Sequence, residues 1–133
     1  MRLNTKCSIA LHCLVFIAEY ERKTKVTSEL LAKSTGCNSA AIRSILNLLQ
    51  KAGLVSIMRG VGGAYLNRNP EDLTVWDIYH ALEPDGLEHF IGLHPNPSEK
   101  CPVGKRIASL LKKPYAEIGA AVQEAMKNIT LQQ

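Results

Sequence analysis

Two short segments hold the residues best suited to do chemistry. One is Asn38-Ser39-Ala40-Ala41-Ile42-Arg43-Ser44, a polar face leading into an apolar run. The other is Arg59-Gly60-Val61-Gly62-Gly63-Ala64-Tyr65, an arginine heading a glycine-rich stretch. A guanidinium offers a planar fork of donors that matches a guanine edge or a phosphate. Ala40 is small enough to meet a thymine methyl group. The glycines Gly60, Gly62 and Gly63 let backbone approach a sugar–phosphate wall, and Arg59 suits the negative potential of a minor groove. The candidate nucleic-acid contacts are therefore Ser28, Asn38, Ser39, Ala40, Arg43, Ser44, Arg59, Gly60, Gly62, Gly63 and Tyr65.

Charge supports a polyanionic partner. The overall balance of +4 is modest, but residues 22–68 carry eight Lys/Arg against one acid, Glu29. The flanking segments are neutral or acidic. A basic block confined to one third of a chain is the footprint of a nucleic-acid surface. The competing reading is a solvated basic face, with Arg43 in a surface ion pair and Arg59 at a solvated loop tip.

The thiols and imidazoles suggest less. Four cysteines show no CxxC pair and no regular framework, and no export signal precedes them, so free thiols in a reducing cytoplasm are expected. Cys7 and Cys13 fall on an apolar helix and read as core thiols, with His12 beside them in a core or interface role. Cys37, in a turn, and Cys101, in a loop, stand next to bases and helix starts, which predicts exposed, thiolate-favouring sites and makes them the redox candidates. His89 and His94 with Cys101 do not match a compact ligand pattern, so no metal is expected. No nucleophile, base and acid fall at positions that elements bring together. Gly60 to Gly63 lie between strands rather than before a helix, so they are not a phosphate loop. No enzyme is expected.

The elements that must position these residues follow from periodicity. The length of 133 residues implies one domain, and 46% hydrophobic with 21% charged residues excludes a disordered chain. The most apolar run, residues 9–18, is about half the length of a membrane span and contains His12. Three- and four-residue apolar steps predict a first helix over 3–20. Thr27 caps a short second helix over 28–34, and Gly36 turns the chain. Asn38 or Ser39 caps a third helix ending near Lys51, whose apolar face is Ile42, Ile45, Leu46 and Leu49. Strands over 54–58 and 64–67 enclose the glycine tip as a hairpin. Thr74 and Asp77 form a capping box for a fourth helix over 75–82. Pro84, Pro95 and Pro97, with Gly86 and Gly92, predict an irregular connection over 83–102.

The last element is long. Ile107, Leu110, Leu111, Tyr115, Ile118, Val122, Met126 and Ile129 form one stripe whose phase holds across Pro114. They predict one helix over 103–129, about 40 Å long. A chain of this size cannot cover such a stripe, so a homodimer is expected, with these eight residues as its interface. The alternative is that the first helix alone covers it. The fold class is mainly α with a small β-hairpin wing: a winged helix-turn-helix over 1–82, the connection, and a C-terminal dimerisation helix over 103–133.

The sequence also resembles a known family. Glu29-Leu30-Leu31-Ala32, then Leu48-Leu49-Gln50-Lys51-Ala52-Gly53-Leu54-Val55, then Arg59-Gly60-Val61-Gly62-Gly63-Ala64-Tyr65-Leu66 look like the Rrf-type (IscR-, NsrR- and CymR-like) bacterial regulators. The likeness continues through Leu73-Thr74-Val75-Trp76-Asp77-Ile78, Cys101-Pro102-Val103-Gly104 and Asn128-Ile129-Thr130-Leu131. It implies a homodimer that reads a palindromic DNA operator, with the recognition helix at 39–51, the wing at 59–65 and the dimer helix at 103–129. Cluster-binding members carry three close cysteines before the dimer helix. Here that region holds only Cys101, so no iron–sulfur cluster and no other cofactor is expected. The resemblance also places the loop before the dimer helix near the partner's winged part, which makes an intersubunit Cys37–Cys101 bridge conceivable. The expected protein is a cytoplasmic transcriptional repressor binding double-stranded DNA, with no membrane role and an unknown small-molecule effector. A thiol-responsive regulator of the same fold, and a winged-helix protein adaptor without DNA binding, are the alternatives.

Overall fold

The computed structural model describes residues 5–58, 63–87, 91 and 93–133. The helices are α1 (Thr5–Tyr20), α2 (Ser28–Thr35), α3 (Ser39–Lys51), α4 (Val75–Leu82) and α5 (Pro102–Lys127). Strands β1 (Val55–Ile57) and β2 (Ala64–Leu66) lie between α3 and α4, followed by a short 3-10 turn, Pro70–Asp72.

α1 is apolar nearly all round and sits centrally. Ala10, Cys13, Leu14 and Ile17 are buried, and the helix packs against α2, α3, α4 and β2. α2 begins where the Thr27 hydroxyl accepts the Leu30 N–H at 3.1 Å. It ends at Gly36, whose φ of 76° only glycine adopts without strain, and whose N–H reaches the Ala32 carbonyl at 2.9 Å. Two residues later Asn38 caps α3, its Oδ1 accepting the Ala41 N–H at 2.8 Å. Of the two expected caps it is Asn38, and Ser39 is the first helical residue. Ile42, Ile45, Leu46 and Leu49 face the core. Burying such side chains contributes about 1.5–3 kcal/mol each.

The two strands pair antiparallel, with Val55 opposite Leu66, Ser56 opposite Tyr65 and Ile57 opposite Ala64. Two contacts pin the hairpin base to the connection between α1 and α2, and a third ties its two strands together. The Ala64 N–H donates to the Val26 carbonyl at 2.9 Å. The Leu66 N–H donates to the Glu21 carboxylate at 2.8 Å. The Ser56 hydroxyl donates to Asn67 Oδ1 at 2.8 Å. Gly63 differs from its expected role as an exposed DNA-approaching glycine. It is buried, and a Cβ there would stand 2.8 Å from the Val26 nitrogen and 2.9 Å from its oxygen. Its missing side chain lets the hairpin base lie against Val26. Gly63→Ala should therefore destabilise the fold by about 2 kcal/mol, because both clashing atoms are backbone. A lowered urea midpoint with an unchanged slope is the expected reading.

The capping box of α4 forms as expected. The Asp77 N–H donates to the Thr74 hydroxyl at 3.1 Å, and the Thr74 N–H donates to the Asp77 carboxylate at 3.0 Å. α5 runs unbroken through Pro114. It stops at Lys127, two residues short of the expected end, because the chain leaves it to pair with the start of α4. The Val75 N–H donates to the Ile129 carbonyl at 2.9 Å, and the Leu131 N–H donates to the Leu73 carbonyl at 2.7 Å. No helix among the described residues is long and apolar enough to cross a membrane.

Candidate nucleic-acid interface

α3 turns its buried stripe inward, so Ala40, Arg43, Ser44 and Asn47 stand exposed at three- and four-residue steps on its outer face. Ser39 is half-buried, and Asn38 spends its side-chain oxygen on the cap. Ser28, the first residue of α2, is half-buried with its hydroxyl 3.4 Å from Glu29. A groove of about 270 Å³ runs between α2, α3 and the hairpin base. It brings together Ser28, Arg43 and Gly63 from the expected set, with Lys25, Asn47 and Met58, which sequence reasoning missed. Asn47 was legible as the next step after Ala40 and Arg43, and Lys25 as part of the basic block. Tyr65 is exposed on β2 and lies outside this groove. Arg59, Gly60 and Gly62 lie outside the described residues.

Arg43 meets Glu29 at 4.0 Å, with both side chains largely in solvent. Such a pair contributes at most about 1 kcal/mol, so it aims the guanidinium without committing it. Apart from this groove, Arg68 lies 3.5 Å from Asp77 at the start of α4.

The C-terminal helix presents a second surface. Of the 26 residues of α5, only Gly119 and Met126 are buried. Leu110 is 56% exposed and Ile118 43%, with Val103 exposed as well. Ile107, Leu111, Tyr115 and Val122 are half-buried. Two members of the expected stripe stand apart from it. Met126, 8% exposed, is packed into the chain's own fold, and Ile129 lies beyond the helix end, held through its carbonyl by Val75. The drift arises because the last turn of α5 must return the chain to α4.

The thiols divide by environment. Burial pushes the Cys7 thiol up, and burial with the neighbouring Cys37 pushes Cys13 up to about 11. Cys37 is half-buried against the core rather than exposed, with its sulfur 3.9 Å from the Thr35 carbonyl. Cys101 is exposed at the N-cap of α5. The Gly104 and Val103 amides favour its thiolate and hold the thiol below its ordinary range, although no side-chain cap hydrogen bond closes. Iodoacetamide at neutral pH should label Cys101 first, and Cys7 and Cys13 only on unfolding, as peptide mass spectrometry would resolve.

Comparison with known proteins decides the family. Residues 3–133 match the Rrf2 family profile, described as iron-dependent transcriptional regulator. The chain belongs to the Rrf2 family. This Rrf2 protein is 34% identical over 126 residues to YwnA of Bacillus subtilis (strain 168), a candidate HTH-type transcriptional regulator, covering 95% of this chain and 88% of that one. A solved candidate transcriptional regulator from Lactobacillus plantarum superposes with a TM-score of 0.79 at 25% identity, over 98% of this chain and 87% of the other. A solved candidate DNA-binding protein gives 0.76 at 28% identity, over 96% of both chains. The fold is thus a winged helix-turn-helix with an added C-terminal helix, and the protein is a transcriptional regulator, not an enzyme. The donors among the described residues do not fit the family's iron. Among the described residues no three His, Cys, Asp or Glu side chains gather where they could hold a metal ion, and Cys101 has no second thiol in its loop.

Proposed function

We propose that this Rrf2 protein is a homodimeric repressor that reads a palindromic operator. The observation that carries the dimer is α5, a helix about 39 Å long with only two buried residues and with Leu110 and Ile118 turned to solvent. Its charge supports self-pairing. Lys105, Arg106, Lys112 and Lys113 crowd the first half, and Glu117 and Glu124 outweigh Lys127 in the second. Two copies side by side in opposite directions set each basic half against an acidic one.

In that dimer the N-terminal part of α3 enters the major groove. Ala40, Arg43 and Ser44 face base edges, and Ser28, Asn38 and Ser39 lie near phosphates. The segment with Arg59, Gly60 and Gly62 meets the adjacent minor groove, beside Tyr65. The protein works where bacterial DNA lies, in the cytoplasm. Repression follows if the dimer covers polymerase contacts at a promoter. Selection of bound genomic fragments, then footprinting and a reporter assay, tests the reading. Protected half-sites about one helical turn apart and lower reporter output support it. No selective fragment would favour the adaptor reading instead.

Exposed Cys101 supports a thiol-responsive variant of this function. Diamide, taking two electrons and two protons from a pair of thiols, should then yield a Cys101-dependent covalent dimer and altered DNA affinity. Cys37 is less accessible to such a bridge than its place in the sequence suggests.

A further inference from the structure

We propose that the cleft between α4 and α5 is an effector site for a small aromatic carboxylate. The cavity measures about 860 Å³, within the range of roughly 300–1,000 Å³ typical of ligand pockets. Trp76 and His80 of α4 form one wall, Leu87 and Leu93 of the connection another, and Lys112 and Gly119 of α5 the third. The DNA-reading surface uses none of these six, and the cleft meets the proposed α5 seam at half-buried Tyr115 and at Lys112.

The walls specify the ligand. The Trp76 indole stacks on the His80 ring at 5.4 Å and 28°, and Gly86 brings backbone close against the indole edge. Gly119, flanked by Ala116 and Ala120, leaves the α5 side open where larger residues would fill it. A flat apolar ring suits this end. Charge fixes the other end. Residues 102–116 contain Lys105, Arg106, Lys112 and Lys113 and no acid. Lys112 lies two turns, about 10 Å, from Gly119 along the helix. Asp85, the acid among the described lining residues, is next to Gly86 at the indole end. It repels a carboxylate there, so the ring goes to Trp76 and the carboxylate to Lys112.

The position gives such a ligand leverage on DNA reading. Trp76 and His80 also line a hollow of about 500 Å³ beside the C-terminal part of α3, with Leu48 and Lys51. The two rings are thus a shared wall between the cleft and the proposed recognition helix. A ligand that reorients them shifts α3 only by its differential affinity for the two arrangements. This regulatory consequence rests on the DNA-binding reading above, whereas binding itself is measured without DNA, so either can fail alone.

Trp76 is the chain's single tryptophan, so its emission reports the cleft directly. The test titrates the full-length protein with benzoate and 3-phenylpropionate, and with 2-phenylethylamine as the cationic match. Saturable change with at least one carboxylate and none with the amine is expected. Lys112→Gln should weaken binding about tenfold and Lys112→Arg should largely keep it, the loss expected of one charge-assisted hydrogen bond. Ala120→Leu should abolish the response with an unchanged melting temperature. If it unfolds, the Lys112 pair decides. The proposal is overturned if acid and amine bind alike, if neither carboxylate saturates by about 10 mM, or if Lys112→Gln titrates like wild type. It also falls if Ala120→Leu leaves a folded monomer, because the cleft then seats a second copy of the chain.

Discussion

Ile118→Glu and Leu110→Glu should each convert the proposed dimer to a folded monomer. Both side chains are substantially exposed within the chain, so their loss costs its own core little. In a two-fold seam each substitution buries two carboxylates, each costing several kcal/mol when unpaired. That exceeds what a helix seam of this length can offset, and association should weaken at least about a thousandfold. Sedimentation equilibrium gives the mass, and circular dichroism checks that the helices remain. Undisturbed dimers for both variants would place the interface elsewhere. DNA affinity should fall with the dimer, since one α3 alone reads one half-site.

The second large effect concerns the reading residues. Arg43→Ala breaks only an exposed 4.0 Å pair with Glu29, so its effect on stability should be small. On a selected operator it should lose about 1–3 kcal/mol per half-site and relax preference mainly at one base position. Arg59→Ala should instead weaken all sequences alike and reduce the salt slope by about one unit per subunit. Fluorescence anisotropy across a salt series, with single-base operator variants, separates the two signatures. Wild-type binding by both variants would remove α3 and the hairpin from the interface.

Much of this protein is local and was legible in its residues. The starts of α2, α3 and α4 follow from Thr27, Asn38 and the Thr74–Asp77 pair, because a capping side chain bonds backbone only two or three residues away. The turn at Gly36 follows from a conformation that only glycine takes easily. The buried face of α3 follows from helical period, and its outward face, with Arg43, follows by exclusion. The basic block and the hairpin motif point to DNA from the residues alone. Contacts between residues distant in sequence were not legible, since no local period records what a side chain meets across the fold. Gly63 looked like a freely approachable tip until Val26, from another segment, proved to be what it lies against. Glu21 carried no sign that its carboxylate would hold the Leu66 amide. Cys37 seemed exposed by its turn, yet the turn directs it to the core. Met126 and Ile129 kept the phase of the α5 stripe, but the chain's return to Val75 took them out of it. Periodicity assigns a residue to a face of its own helix, and only tertiary packing decides whether that face meets the same chain, solvent or a partner.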